Sequence, residues 1–146
     1  MSLSVGGYNS LFDNKIVFSL GYDVPINGAD SVFIASASNF TDTAGWHHVA
    51  VTVSDVGGGV VSASLYVDGK LEGTDSGSQN DRSVWGALKI GASGDTIRYF
   101  DGQIDEGQVY TSALSAPQIQ TLADSGFLPN DADADRHGIV TPAGLM

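Results

Sequence analysis

The dipeptide Asp68-Gly69 constrains this chain more than any other feature. It stands between the run Val60-Val-Ser-Ala-Ser-Leu-Tyr-Val and the continuation Lys70-Leu. Asp-Gly between alternating apolar residues closes a two-residue type I′ hairpin, because both central positions of that turn need positive φ. Leu71 then starts a return strand. A second reversal precedes the first: Asp55-Val-Gly-Gly-Gly supplies a glycine-rich loop through which the segment from Trp46 to Ser54 can fold back antiparallel as Val60 to Val67. Within the first of these strands Val49, Val51 and Val53 share one face by the period-two rule, and His48, Ala50 and Thr52 share the other.

The same punctuation recurs elsewhere. Apolar runs at Lys15 to Leu20, Ser31 to Ser36, Ala87 to Gly91 and Tyr99 to Tyr110 lie between turn signals, a spacing that suits an all-β sandwich or barrel. Nineteen glycines fit such a turn-rich fold, and 146 residues accommodate one domain with a short appendage. One helix is expected after Leu114. Ser115 can cap it, Gln118 stands at the capping-box position, Pro117 is tolerated in the first turn and Gly126 ends it. Ile119 and Leu122 give that helix its apolar stripe. From Leu128 the composition turns polar, acidic and Pro-marked, so the domain boundary falls near residue 128: a sandwich over 1–127 and an acidic linker over 128–146.

Charge excludes some partners. Seventeen acidic against six basic residues give a formal net charge of −11, a field that repels nucleic-acid phosphates and anionic membranes. No run approaches the ~18 apolar residues of a membrane span, and the first residues have neither the basic nor the apolar region of a secretion signal. With no cysteine there is no disulfide framework, thiolate zinc site or cysteine nucleophile. All the acids except Glu72 and Glu106 are Asp, a bias towards turns and oxygen-ligand calcium sites.

Gly45-Trp-His-His-Val-Ala-Val-Thr, Leu65-Tyr-Val-Asp-Gly-Lys-Leu, Ile90-Gly, Phe100-Asp-Gly-Gln-Ile-Asp-Glu and Val109-Tyr-Thr-Ser-Ala-Leu-Ser-Ala-Pro-Gln-Ile, taken in that order and spacing, resemble the laminin-G-like jelly-roll family over residues 45 to 120. The resemblance implies a concanavalin A-like fold: an antiparallel two-sheet jelly-roll sandwich with one short C-terminal helix. In such a sandwich Trp46 is expected to pack its ring in the core, and Ile104 to point inward between outward Gln103 and Asp105. Gly107 departs from the branched apolar residue usual there and weakens the local pairing. The Phe-Asp-Gly strand and the Trp-containing strand with which the family usually opens have no counterpart before Tyr8, so the chain is expected to lack the first strands of its sandwich and to be a fragment.

Candidate sites follow. Asp101, Asp105 and Glu106 invite comparison with the paired carboxylates of glycoside hydrolases, but neighbours on a strand point to opposite faces, so Asp105 and Glu106 do not converge. The same geometry keeps His47 and His48 from sharing one ion, and a packed, hydrogen-bonded role is the simpler account. The family resemblance places Asp105 near a structural calcium, against the alternative of a solvated or turn-capping carboxylate. The tail Asp133-Ala-Asp-Arg-His-Gly-Ile-Val-Thr resembles the first calcium loop of a dockerin or EF-hand. Asp133, Asp135, His137 and Thr141 would take loop positions one, three, five and nine. His137 replaces a hard oxygen ligand and Gly144 stands where the bidentate acid belongs, which lowers calcium affinity to ~10⁻³ M or weaker. A plain acidic linker is the competing account. For ligand contact Trp85, Tyr99 and Tyr22 lie near Gly- or Asp-rich turns and can serve as sugar-stacking aromatics or as core residues.

The expectation drawn from these features is a non-catalytic carbohydrate-binding or adhesion module of a larger extracellular or cell-surface protein. Its partners would be carbohydrate or a cell-surface protein and the other domains of the parent chain. Calcium, where bound, would hold loops. A structural spacer without ligand and a glycoside hydrolase are the alternatives.

Overall fold

The computed structural model describes residues 2–5, 14–20, 32–40, 45–78 and 102–125. Among them, two antiparallel three-stranded sheets form. The first has the order β1 (Ser2–Val5), β2 (Ile16–Leu20), β3 (Val32–Ala35), and the second β4 (Val49–Gly57), β5 (Val60–Val67), β6 (Lys70–Ser78). A single helix, α1 (Ala116–Ser125), follows. This is the antiparallel two-sheet architecture with one short C-terminal helix that the family resemblance implies.

Register explains the core. Phe18 pairs Ile34 and Leu20 pairs Val32, so these side chains and Ile16 share one face of the first sheet. In the second sheet Val49 pairs Val67, Val51 pairs Leu65 and Val53 pairs Ala63, which puts the alternating valines of β4 on the same face as Val61, Ala63, Leu65 and Val67. The two faces meet in one hydrophobic cluster in which Phe18 and Leu65 are fully buried and Val49, Val51 and Val53 are packed at its margin. The valine stripe predicted from alternation is thus the inner face of β4.

β6 completes that sheet with a different inner row. Its residues opposite Leu65, Ala63 and Val61 are Gly73, Asp75 and Gly77. Without a side chain at Gly73, β6 can approach β3 closely. A Cβ built on Gly73 would lie 2.7 Å from Ile34 Cγ2. Asp75, between the glycines, turns its carboxylate to β3 and accepts the Phe33 N–H at 2.8 Å. A bulge sits just before this row: Leu65 faces Gly73 and Tyr66 faces Leu71, so Glu72 is the extra residue. Freed from the ladder, the Glu72 carboxylate accepts the N–H and Oγ–H of Ser38 at 2.7 and 2.9 Å, and its carbonyl accepts the Ala37 N–H at 3.2 Å. The acidic side chains of β6 therefore join it to β3 and the segment leaving it.

The hairpin at Asp68-Gly69 is present, with φ of +50° and +76° and Val67 paired to Lys70, as a type I′ turn requires. Gly57, Gly58 and Gly59 all take positive φ in the β4–β5 reversal. The helix begins as expected: the Gln118 side chain accepts the Ser115 N–H at 2.9 Å, and Ser115 O accepts the Ile119 N–H at 3.0 Å. Ile119 and Leu122 are buried.

Four expectations are corrected. Residues 2–5 form β1, which pairs with β2 through Leu3↔Phe18 and Val5↔Ile16. The Leu3 and Val5 alternation is legible in the sequence, but four residues carry too little of it to register as a strand. β4 starts at Val49, so Trp46 precedes the strand and is 66% exposed, not a core ring. Residues 102–110 carry no strand, and Ile104 is 52% exposed. There Glu106 has φ of +51° and the Asp105 carboxylate accepts its N–H at 2.9 Å, a local turn that breaks the alternation an inward Ile104 needs. The expected strand at 87–91 and Gly126 lie outside the described residues.

Candidate functional site

The strongest convergence of polar and aromatic groups is at the entry to β4. Asp68, held in left-handed backbone conformation by the β5–β6 turn, reaches across to the two histidines that precede β4. Its Oδ2 lies 2.8 Å from His47 Nδ1, its Oδ1 accepts the His48 N–H at 3.0 Å, and its own N–H donates to the His48 carbonyl at 2.8 Å. One residue thereby ties the hairpin to the chain entering the neighbouring strand. The His47 ring stands edge-on to Phe40, centroids 5.2 Å apart at 75°, and Phe40 packs against the core.

The histidines divide in environment. His47 is exposed and shares the carboxylate with its neighbour. His48 is half-buried, and its Nδ1, enclosed within the protein, has no hydrogen-bond partner. Burial pushes the His48 imidazole below the ordinary histidine value, and the Asp68 charge acts in the opposite sense. The hydrogen-bonded account of the pair describes His47. His48 is satisfied only through its backbone.

Asp105 is exposed, with its carboxylate turned to the Glu106 N–H. Among the described residues no group of three or more His, Asp or Glu side chains converges as a metal site. Trp85, Tyr99, Tyr22, Asp133, Asp135, His137 and Thr141 lie outside the described residues, as does Asp101. Sequence reasoning took Asp68 as a turn former only. The signal available was that an Asp, where Asn or Gly would also turn, carries a carboxylate facing the neighbouring strand.

A laminin-G-type family model described as the concanavalin A-like lectin/glucanases superfamily matches residues 4–120. The match takes in the end of β1, β2 and β3 as well as the motifs after residue 45. No curated protein matches the chain. A solved structure similar to it is the 2.1 Å crystal structure of an S-layer domain-containing protein from Clostridium thermocellum, 27% identical with a TM-score of 0.42. That likeness covers 76% of this chain and 52% of the other, so the chain spans about half the length of that relative. Family match, sheet order and hairpin register agree, and the chain belongs to the concanavalin A-like lectin/glucanase superfamily.

Proposed function

We propose that this domain is a non-catalytic carbohydrate-binding or adhesion module of a larger extracellular or cell-surface protein. The observation that carries the reading is the use made of five acidic side chains among the described residues. Asp55 accepts the Gly57 N–H, Asp68 the His48 N–H, Glu72 the Ser38 N–H, Asp75 the Phe33 and Ser76 N–H groups, and Asp105 the Glu106 N–H. Each of these five carboxylates is an acceptor that fixes backbone, whereas Asp124 accepts the Gln120 side-chain amide. Glycosidic cleavage needs instead two carboxyl groups facing each other across the scissile bond, one of them protonated. Family membership supports a sugar ligand, and the net charge of −11 favours a neutral one.

The other domains of the parent chain are its covalent partners in this reading. Among the described residues no helix is long and apolar enough to cross a membrane. Calcium is assigned at most a loop-holding role through Asp105 and the Asp133, Asp135, His137 and Thr141 set. The test is a glycan array probed with the whole chain, followed by an assay for released reducing sugar on every glycan retained. Binding without release is expected. Release abolished by Glu106→Gln would replace the binding module with a glycoside hydrolase.

A further inference from the structure

Trp46 is the largest side chain left in water among the described residues, two-thirds exposed immediately before the most firmly tied backbone of the β4 entry. A buried indole ranks among the largest single contributions to a core. Keeping one exposed forgoes that contribution, and a single exposed apolar residue alone needs no explanation. The surroundings of Trp46 distinguish it. The next two residues are held on both sides by Asp68, through the His47 ring, the His48 N–H and the His48 carbonyl, while His47 is braced edge-on by core-packed Phe40. The chain immediately after the indole is therefore tied down before any ligand arrives, which reduces the ordering cost of binding there.

The residues that follow Trp46 in the chain bring groups suited to hydroxyls to the same β4 entry. The Asp68 carboxylate is half exposed. It has about four lone-pair sites, more than the His47 and His48 donors use. With His47 Nδ1 directed at Asp68, the opposite ring nitrogen is the one left for solvent or ligand. An aromatic face accepts the C–H face of a pyranose, and carboxylate and imidazole bond to its hydroxyls. The carboxylate and the overall negative charge act against sulfated or carboxylated sugars.

We infer that Trp46, next in the chain to the His47–Asp68 pair, is a sugar-contacting residue of this domain and takes one ring of a neutral glycan. The inference rests on the carbohydrate-binding reading and assigns that reading a place in the fold.

The experiment uses the whole chain on an array of neutral, sulfated and carboxylated glycans, with affinities for retained glycans measured by calorimetry. Wild type should retain neutral glycans, Trp46→Ala should weaken them at least about tenfold, and Trp46→Phe should keep most of the affinity. Both variants should melt as wild type does, since the ring is exposed. Wild-type affinity in Trp46→Ala overturns the site and leaves the carbohydrate reading standing. Wild type that retains no glycan overturns both. Preference for sulfated glycans, or a Trp46→Phe variant that no longer melts cooperatively, overturns the assignment by showing a different ligand class or a packing role.

Discussion

Gly73 of β6 lies directly against Ile34 of β3, so close that a single methyl on Gly73 would come within 2.7 Å of Ile34 Cγ2. Ile34 is buried in the core cluster and, being β-branched, has little rotamer freedom with which to yield. Gly73→Ala should cost about 1–3 kcal/mol through overpacking, and Gly73→Val more. Urea unfolding measures it. A midpoint equal to wild type would mean that the two strands stand further apart than described.

Asp75 occupies an inward position opposite Ala63, an unusual place for a carboxylate, and accepts the Phe33 N–H at 2.8 Å and the Ser76 N–H at 2.9 Å. Asp75→Ala removes the acceptor at the junction of the sheets and should destabilise by about 1–3 kcal/mol. Asp75→Asn keeps an oxygen for only one of the two N–H groups and should lose about half of that. Equal losses in the two variants would point to a requirement for charge instead of an acceptor.

His48 makes stability depend on pH. Burial holds its folded-state pKa below the unfolded value of about 6.5, against the opposing pull of Asp68. As pH falls through about 6.5 the unfolded chain takes up the proton first, so stability is highest above that pH. It declines below it until the folded-state imidazole is itself protonated. Thermal melts between about pH 7.5 and pH 5 should show this fall, and His48→Gln should flatten that part of the profile. Parallel profiles for the two proteins would assign the dependence to other groups.

The helix cap is separable from the core. The Gln118 side chain accepts both the N–H and the Oγ–H of Ser115. Gln118→Ala should cost about 0.5–1 kcal/mol and increase amide exchange in the first turn of α1. The exchange of β5 amides should be nearly unchanged, because the substituted side chain is exposed. Matching increases in both elements would show that helix and sheets open as one unit.

Much of the sandwich is legible in the sequence. Local chemistry specified the Asp68-Gly69 hairpin, the glycine reversal at 57–59, the valine face of β4 and the capped helix, because each depends on neighbours within a few residues. β1 was missed for want of length. The expected strand through Ile104 failed because a left-handed Glu106 and an Asp105 side chain bonded to the next N–H outweighed an alternating pattern.

The candidate site was less legible. The sequence identified the aromatic and acidic residue types a sugar would use, yet it assigned Trp46 to the core and Asp68 to a turn. Where β4 begins decides the first, and the approach of the β5–β6 turn to the β4 entry decides the second. The sequence by itself determined strand alternation, turn chemistry and the acidic field. Only the tertiary structure decided which carboxylates hold which backbone, that Gly73 admits β3 against β6, and that Trp46 is left facing water. Those outcomes depend on contacts between residues some 20 to 40 positions apart, such as His48 with Asp68 and Phe33 with Asp75, and no local pattern encodes such a contact.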